Sequence, residues 1–478
     1  MAEHIKTDIC VIGGGSGGLS VAAGAAQMGA SVVLIEGHKM GGDCLNYGCV
    51  PSKALLAAAH RAAESKDNAA FGLSAEKPKV DFAKVMHHVG EVVKSIEPMD
   101  SVERFAGLGV QVIEAKASFI SRKAVRAGNV TVSAKRFVIA TGSMAAVPPI
   151  KGLAKVPYVT NETVFGLTRQ PKHLMILGGG PIGAEMAQAF RRLGSKVTLL
   201  EAQRFLGRED EELSTHVKAQ LEADGVDLRE AVRVTGAAHS GSGARTKITL
   251  TTPDGEVSGD TLLVATGRAA NISGLNVEKA GVQLSDTSEP HILVDARMRT
   301  HNKKIFAIGD VAGGPQFTHA AGYHAGLVIR NILFFLPAKV NHAALPRVTY
   351  TNPELASVGL SEADAREKYA AIKVLRWPFE ENDRARAERD ERGMVKVVTT
   401  RNGKILGASV VGAGAGDLLA PWTMALAQGL PISAMAGVIA PYPTRGEASK
   451  RAAGDYYTPT LFGPRTRKIV SFLSLFRS

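Results

Sequence analysis

Near its start the chain reads Asp8-Ile9-Cys10-Val11-Ile12-Gly13-Gly14-Gly15-Ser16-Gly17-Gly18, an apolar run ending in glycines spaced G-x-G-x-x-G. Asp8 to Ile12 predicts a buried strand, and Gly13, Gly15 and Gly18 predict a phosphate-binding turn. Leu19 to Met28 predicts a helix, and Val32 to Ile35 a second strand closed by Glu36. The glycines let the backbone approach a pyrophosphate, the helix N-terminus stabilises its charge, and the acid accepts hydrogen bonds from a ribose. One such fingerprint is weak evidence, but the design recurs. Leu174 to Leu177 leads into Gly178, Gly180 and Gly183, then a helix to Leu193, then Val197 to Leu200 and Glu201. Both copies run 23 residues from first glycine to closing glutamate. The fold class is therefore α/β, with two Rossmann-like dinucleotide-binding domains in one chain.

The duplication extends further. Val138-Ile139-Ala140-Thr141-Gly142 and Leu263-Val264-Ala265-Thr266-Gly267-Arg268 are matching strand-to-turn ends, lying 127 and 87 residues after their first glycines, so the first copy holds an insert of about 40 residues. Close behind Glu36 comes Gly42-Asp43-Cys44-Leu45-Asn46-Tyr47-Gly48-Cys49-Val50-Pro51-Ser52-Lys53, with two of the chain's three cysteines. Residues five apart in an ideal helix are separated by about 7.5 Å of rise, beyond the roughly 4.4 to 6.8 Å that a relaxed disulfide spans. Pro51, clashing with the carbonyl of Tyr47, and Gly48, loosening the backbone, predict a distorted helix and a strained, exchangeable Cys44–Cys49 disulfide. Lys53 shares a helical face with Cys49 and favours its thiolate. The other reading of this spacing is two unrelated buried thiols or half a metal site. No second Cys or His pair stands nearby, and no resident metal is expected. Cys10, in the first strand, reads as a small buried apolar residue.

Downstream, Ile305 to Val311 reads as a strand ending in an acid, Asp310, placed either to meet a polyol or ribityl chain or to cap the next helix. From about Leu345 the pattern changes to strands and helices with proline punctuation, including Gly393 to Thr400 and Lys404 to Val411, which predicts a separate α/β domain.

At 478 residues the chain is too long for one core. Three cysteines argue against a disulfide framework and for a reducing cytoplasm, and the N-terminus has no secretory pattern. Residues 418 to 444 carry no charge, but Pro421, Pro431, Pro441 and Pro443 divide them into pieces too short for a membrane span, so buried helices are expected. The net charge of +12 suits anionic ligands in general, and no interleaving of basic and aromatic residues points to nucleic acid. In the tail, residues 464–478, Arg465, Arg467, Lys468 and Arg477 bracket Ile469, Phe472, Leu473 and Phe476, which share one helical face. Such a helix either docks on its own protein or partner subunit, or makes peripheral contact with an anionic membrane, here at the inner face.

Together these residues resemble the class I pyridine nucleotide-disulfide oxidoreductases, the family of dihydrolipoamide dehydrogenase, glutathione reductase and mercuric reductase. The resemblance covers roughly residues 5 to 455. It implies an FAD-binding domain with the dithiol helix (1–150), an NAD(P)-binding domain (151–272), a return to the FAD domain (273–344), a C-terminal dimerisation domain (345–463) and the tail. Gly13, Gly15, Gly18, Glu36, Ala117, Thr141, Gly142 and Asp310 would then hold FAD, with His319 and Ala320 near the flavin pyrimidine edge. Lys53 would pair with Glu185 where nicotinamide stacks, and Gly178, Gly180, Gly183, Glu201, Val234 and Gly267 would hold the nicotinamide dinucleotide. Cys49 would face the flavin, Cys44 would attack substrate, and the protein would be a homodimer. Glu201 repels a 2′-phosphate and Gly183 is the NAD-type ending of the fingerprint, so NADH is favoured. Arg204 and Arg208 would accept that phosphate if their loop turned inward, which keeps NADPH open.

One departure matters most. Family members that handle disulfides carry a His-Pro-Thr motif near the C-terminus with a Glu a few residues on, whereas this chain reads Ala440-Pro441-Tyr442-Pro443-Thr444-Arg445-Gly446-Glu447, and no histidine follows His342. A tyrosine, with pKa near 10, donates a proton at neutral pH but is a poor base. Losing general acid-base help costs about 10² to 10⁴ in rate, which disfavours ordinary dihydrolipoamide dehydrogenase activity. Glu447, left without a histidine to orient, would pair with Lys450 or Arg451. Mercuric reductases also place a tyrosine here, but the added N-terminal metal-binding domain and C-terminal cysteine pair of that group are missing from this sequence. The expectation is an FAD enzyme that passes electrons from NAD(P)H through Cys44 and Cys49 to a disulfide, a soft metal ion such as Hg(II), or a quinone. Three alternatives stand beside it: a dihydrolipoamide dehydrogenase, a flavin-only quinone or dye reductase, and a membrane-associated redox sensor or electron-transfer partner.

Overall fold

The computed structural model describes residues 3–65, 68–74 and 79–476, and Arg477 of the tail lies outside them. The chain forms two compact units, one of Met1–Gly178, Ala189–Ala202 and Val232–Asn341, the other of Gly179–Gln188, Gln203–Ala231 and His342–Ser478.

The first unit opens with β1 (Glu3–Ile12), α1 (Ser16–Gln27), β2 (Val32–Glu36), α2 (Gly42–Asn46) and α3 (Cys49–Glu64). β1 lies between β2 and the strand Val130–Ile139, parallel to both. Val110–Glu114 extends the sheet beyond β2, and the strands Ala124–Ala127 and Ala117–Ser121 extend it on the other side. The β1 residues Ile9 to Ile12 are buried on both faces, as a central parallel strand covered by helices must be. Cys10 is buried there as a small apolar residue. α1 packs on the helix Thr318–Leu333 so closely that a Cβ on Gly24 would lie 2.6 Å from Ile329 Cδ1.

The same unit carries the strands of the second nucleotide frame, with His173–Leu177 parallel to Lys196–Leu200 and to Thr261–Val264. The two copies match at atomic detail. Gly13 N–H donates to Ile35 O at 2.8 Å and Gly178 N–H to Leu200 O at 2.9 Å; Ala140 N–H donates to Ile12 O at 2.7 Å and Ala265 N–H to Leu177 O at 2.8 Å.

The second unit is built on a five-stranded antiparallel sheet in the order Arg347–Thr349, Glu354–Gly359, Ile405–Gly412, Met394–Thr400, Ile372–Pro378. A buried ammonium pins the helix Glu211–Ala223 to it: Lys396 Nζ donates to Asp210 at 2.9 and 3.0 Å and pairs with Glu212 at 2.8 Å and Glu362 at 2.9 Å. The uncharged stretch 418–444 departs from the buried helices expected of it. Leu419, Trp422, Ala425, Ile432 and Met435 are buried, but Met424, Val438, Ile439 and Tyr442 face out. The tail helix Pro464–Ser474 is likewise exposed along its length, including Ile469, Phe472 and Leu473.

Candidate active site

The dithiol segment does not form the single kinked helix expected from Pro51. α2 ends at Asn46, Tyr47 and Gly48 leave helical geometry, and α3 starts afresh at Cys49. Pro51 therefore sits in the first turn of α3, where its missing N–H has no intrahelical partner to lose. The break at Gly48 solves the spacing problem: Cys44 and Cys49 come within hydrogen-bonding reach of each other, and both are free thiols here. Cys49 heads the 16-residue α3, where the helix dipole favours a thiolate. Its sulfur also lies 3.3 Å from Thr318 Oγ1, the first residue of a second 16-residue helix. The hydrogen bond from Cys44 draws the Cys49 thiol down to about 6, with Thr318 and Lys53 acting in the same sense against burial. The same bond and burial push Cys44 well above the ordinary thiol range. At neutral pH the pair is one thiolate beside one thiol.

The loop is fixed from both ends. Gly41 N–H donates to Gly14 O at 2.9 Å, and a Cβ on Gly42 would lie 2.6 Å from Gly15 Cα, so the dithiol segment rests on the first phosphate turn. Asn46 Nδ2 donates to Met40 O and Gly42 O at 3.0 and 2.9 Å.

An asymmetric pair of thiols seated on a G-x-G-x-x-G turn matches one family in particular. The family model for pyridine nucleotide-disulphide oxidoreductases matches residues 7–325, and that for their dimerisation domain matches residues 345–453. The chain belongs to the pyridine nucleotide-disulphide oxidoreductases. It is 38% identical to a mercuric reductase of Streptomyces lividans, covering 95% of this chain and 97% of that protein. It is 34% identical to a dihydrolipoyl dehydrogenase of Geobacillus stearothermophilus, covering 94% and 96%. Among solved structures, the Cu(II) complex of the HOCl-induced flavoprotein disulfide reductase RclA from Escherichia coli superposes with a TM-score of 0.85 at 30% identity, covering 94% of this chain and 99% of that one. The match covers 97% of the Streptomyces protein, which leaves that relative no room for an added metal-binding domain.

Members of this family contain FAD and use NAD(P)H, and the first frame of this oxidoreductase fits a dinucleotide. Gly13 adopts φ +110°, and a Cβ there would meet Ala140 O at 2.3 Å. α1 follows Gly15 with no side chain capping it and no acid in its first turn, which leaves its first N–H groups open to an anion. Glu36 accepts Gly14 N–H at 2.5 Å and His38 N–H at 2.6 Å, which orients the carboxylate at the strand end and keeps further lone pairs for a ribose. Thr141 and Gly142 are stitched to Asn271 by three hydrogen bonds of 2.7 to 3.1 Å. Ala117 opens its strand, His319 stacks on Phe317, and Ala320 is buried behind them. Asp310 belongs to a short 3-10 turn after the strand Ile305–Ala307 rather than to the strand itself. It accepts from Ser143 Oγ at 2.5 Å, and burial holds its carboxyl above the usual range.

In the second frame, Gly178 adopts φ +105°, a Cβ on Gly180 would meet nothing within 4 Å, and Gly267 has φ +138°. Val234 packs half-buried beside that sheet, and Glu201 O accepts Val232 N–H at 2.9 Å. Glu185 Oε1 accepts Tyr350 N–H at 3.0 Å, and Lys53 Nζ donates to Ser52 Oγ at 3.3 Å. Arg204 is committed to its own loop, donating to Ser214 Oγ at 3.0 Å and to Gly207 O and Glu209 O at 2.9 Å.

At the C-terminal motif, Tyr442 is exposed and its hydroxyl donates to Asp383 Oδ2 at 3.0 Å, which holds the phenol above its ordinary range. Glu447 pairs with Arg451 at 3.0 Å, not with Lys450. Sequence reasoning passed over Thr318, which touches Cys49, and the chain of polar contacts that runs from Asp43 to Asn161, Arg268 and Ser143. The available signal was Arg268, a charged residue extending the second A-T-G turn.

Proposed function

We propose that this oxidoreductase takes hydride from NADH, carries two electrons through the Cys44/Cys49 pair and delivers them to a soft metal ion such as Hg(II). The observation that carries this reading is the state of the C-terminal motif. Tyr442 keeps its proton and donates a hydrogen bond to Asp383, and Glu447 is tied to Arg451, so neither is placed to take the proton of an incoming dithiol. A metal cation needs no protonated sulfur leaving group: Hg(II) and NADH give Hg(0), NAD⁺ and a proton. The mercuric reductase relatives and the Cu(II)-complexed structural relative lend the metal-ion class further weight.

In this reading the first fingerprint, Glu36, Ala117, Thr141, Gly142, Asp310, His319 and Ala320 hold FAD. The second fingerprint, Glu201, Val234 and Gly267 hold the nicotinamide dinucleotide, which Lys53 and Glu185 help to orient. Bound FAD supplies the two-electron bridge between nicotinamide and disulfide. Glu201 and the internal engagement of Arg204 favour NADH over NADPH. Cys49 holds the thiolate, and Cys44 keeps the proton until the acceptor arrives.

The test is anaerobic NADH oxidation by the FAD-loaded protein with thiol-complexed Hg(II), a small quinone and lipoamide side by side. Metal-dependent turnover that Cys49→Ser abolishes is expected. Fast lipoamide turnover would return the enzyme to the dihydrolipoamide dehydrogenases, and quinone turnover indifferent to Cys49→Ser would make it a flavin-only reductase.

A second reading concerns the tail, where one observation favours membrane contact. The helix Pro464–Ser474 exposes Ile469, Val470, Phe472 and Leu473 beside Arg465, Arg467 and Lys468, and no acid follows Asp455. Among the described residues no helix is long and apolar enough to cross a membrane, so the contact would lie in the interfacial plane. Co-sedimentation with anionic liposomes, with and without residues 464 to 478, decides it. Equal partitioning of both forms ends the idea.

A further inference from the structure

Asp43 brings a charge into the loop that joins the two sulfurs. A Cβ on Gly48 would lie 2.9 Å from Asp43 Oδ2, so the carboxylate packs against the backbone between Cys44 and Cys49. Two groups from elsewhere in the unit hold it there: Asn161 Nδ2 donates to Oδ1 at 2.9 Å, and Arg268 Nη2 pairs with Oδ2 at 3.2 Å. Arg268 is 13% exposed and firmly placed, with Nε on Ser143 Oγ at 2.7 Å, Nη2 on Ser143 O at 2.9 Å, and Asp310 Oδ2 at 3.8 Å. Two carboxylates thus share one guanidinium beside the dithiol. Asp43 acts on both sulfurs, disfavouring a thiolate at either.

We propose that the Asp43–Arg268 ion pair sets the midpoint potential of the Cys44/Cys49 couple, with the carboxylate making the dithiol a stronger reductant and the guanidinium limiting that effect. Both are positioning residues; neither touches substrate. Reduction by a hydride equivalent breaks the S–S bond, places the electron pair on the sulfurs, leaves the proton on Cys44 and releases Cys49 as a thiolate. One negative charge appears where none stood, and a fixed carboxylate packed against the backbone between the two cysteines raises the free energy of that product. The inference rests on the reading that the dithiol turns over with NADH as reductant.

The experiment equilibrates the FAD-loaded protein anaerobically against NADH/NAD⁺ mixtures without any acceptor. Rapid acid quench, alkylation and mass spectrometry then read the dithiol fraction. Asp43→Asn, which keeps the shape and removes the charge, is expected to shift the equilibrium about tenfold toward dithiol, or about 30 mV for a two-electron couple. Arg268→Gln is expected to shift it about tenfold the other way, and the double variant to lie within about threefold of the parent. Shifts of the same sign in both single variants, or a change below about threefold in Asp43→Asn, would overturn the proposal. If Arg268→Gln loses flavin, Arg268→Lys, which keeps the charge, is expected to hold the parental equilibrium, and Asp43→Asn still decides the sign. Because no acceptor is present, failure of the relay reading shows separately, as turnover unaffected by Cys49→Ser.

Discussion

Two cysteines of identical chemistry differ here because of what each sulfur touches. Cys49 heads α3 and receives a hydrogen bond from Cys44, so its thiol titrates near 6, whereas Cys44 stays protonated far into the alkaline range. The sign follows directly: the reactive thiolate is present above about pH 6 and is lost as pH falls through that value. Alkylation of the reduced enzyme by iodoacetamide is therefore expected to be flat from about pH 7 to 8 and to fall about tenfold per unit below 6. Cys44→Ala should move that midpoint upward, because it removes the largest cause of the shift. An unmoved midpoint would assign the shift to Thr318, Lys53 and the helix terminus. Tyr442 poses a second question at this scale. Tyr442→His places a base where the phenol now donates to Asp383, and lipoamide-linked turnover is expected to rise by about 10² or more. No gain in that assay would mean that the channel, not only the proton shuttle, differs from that of dihydrolipoyl dehydrogenases.

The phosphate turns show what an element needs from its residues. Gly13 and Gly178 sit at positive φ with a carbonyl 2.3 and 2.4 Å from the site of a Cβ, so any side chain forces the turn away from its strand. Gly178→Ala is expected to raise the KM for NADH at least tenfold with flavin content unchanged, while Gly13→Ala should lower flavin content itself. Loss of flavin in both would mean that the two frames fold as one. These turns were legible in sequence because their requirements are local: glycines, an apolar strand and an acid 23 residues on. The break between the cysteines was half legible. Its need was readable from the spacing, but it falls at Gly48 and not at Pro51. The Asp43–Arg268 pair was not legible, since no periodicity links groups brought together only by the folded unit. The same holds for Lys396, 4% exposed among three carboxylates. Lys396→Met leaves those acids facing one another and is expected to cost about 3 to 5 kcal/mol in urea unfolding.

At the scale of the whole molecule, the uncharged stretch 418–444 shows what a single chain conceals. Its lack of charge reads as burial, yet Ile439 is 94% exposed and Met424, Val438 and Tyr442 also face out. The stretch lies inside the segment that matches the family's dimerisation domain, residues 345–453. An apolar surface that its own chain leaves uncovered there is one that a second copy would cover, and burial by another subunit would account for the disagreement between sequence and single-chain structure. In a two-fold dimer each such residue is used twice. Burying an isoleucine contributes about 1.5 to 3 kcal/mol, so placing a charge at Ile439 acts on about 3 to 6 kcal/mol of association energy, or roughly 10² to 10⁴ in the dissociation constant. Ile439→Asp is therefore expected to give a concentration-dependent monomer in sedimentation velocity with unchanged far-ultraviolet circular dichroism, because the side chain supports nothing within its own subunit. A dimer as tight as the parent's would place the subunit interface on another face of residues 345–453. A monomer with lost secondary structure would show instead that Ile439 supports its own subunit.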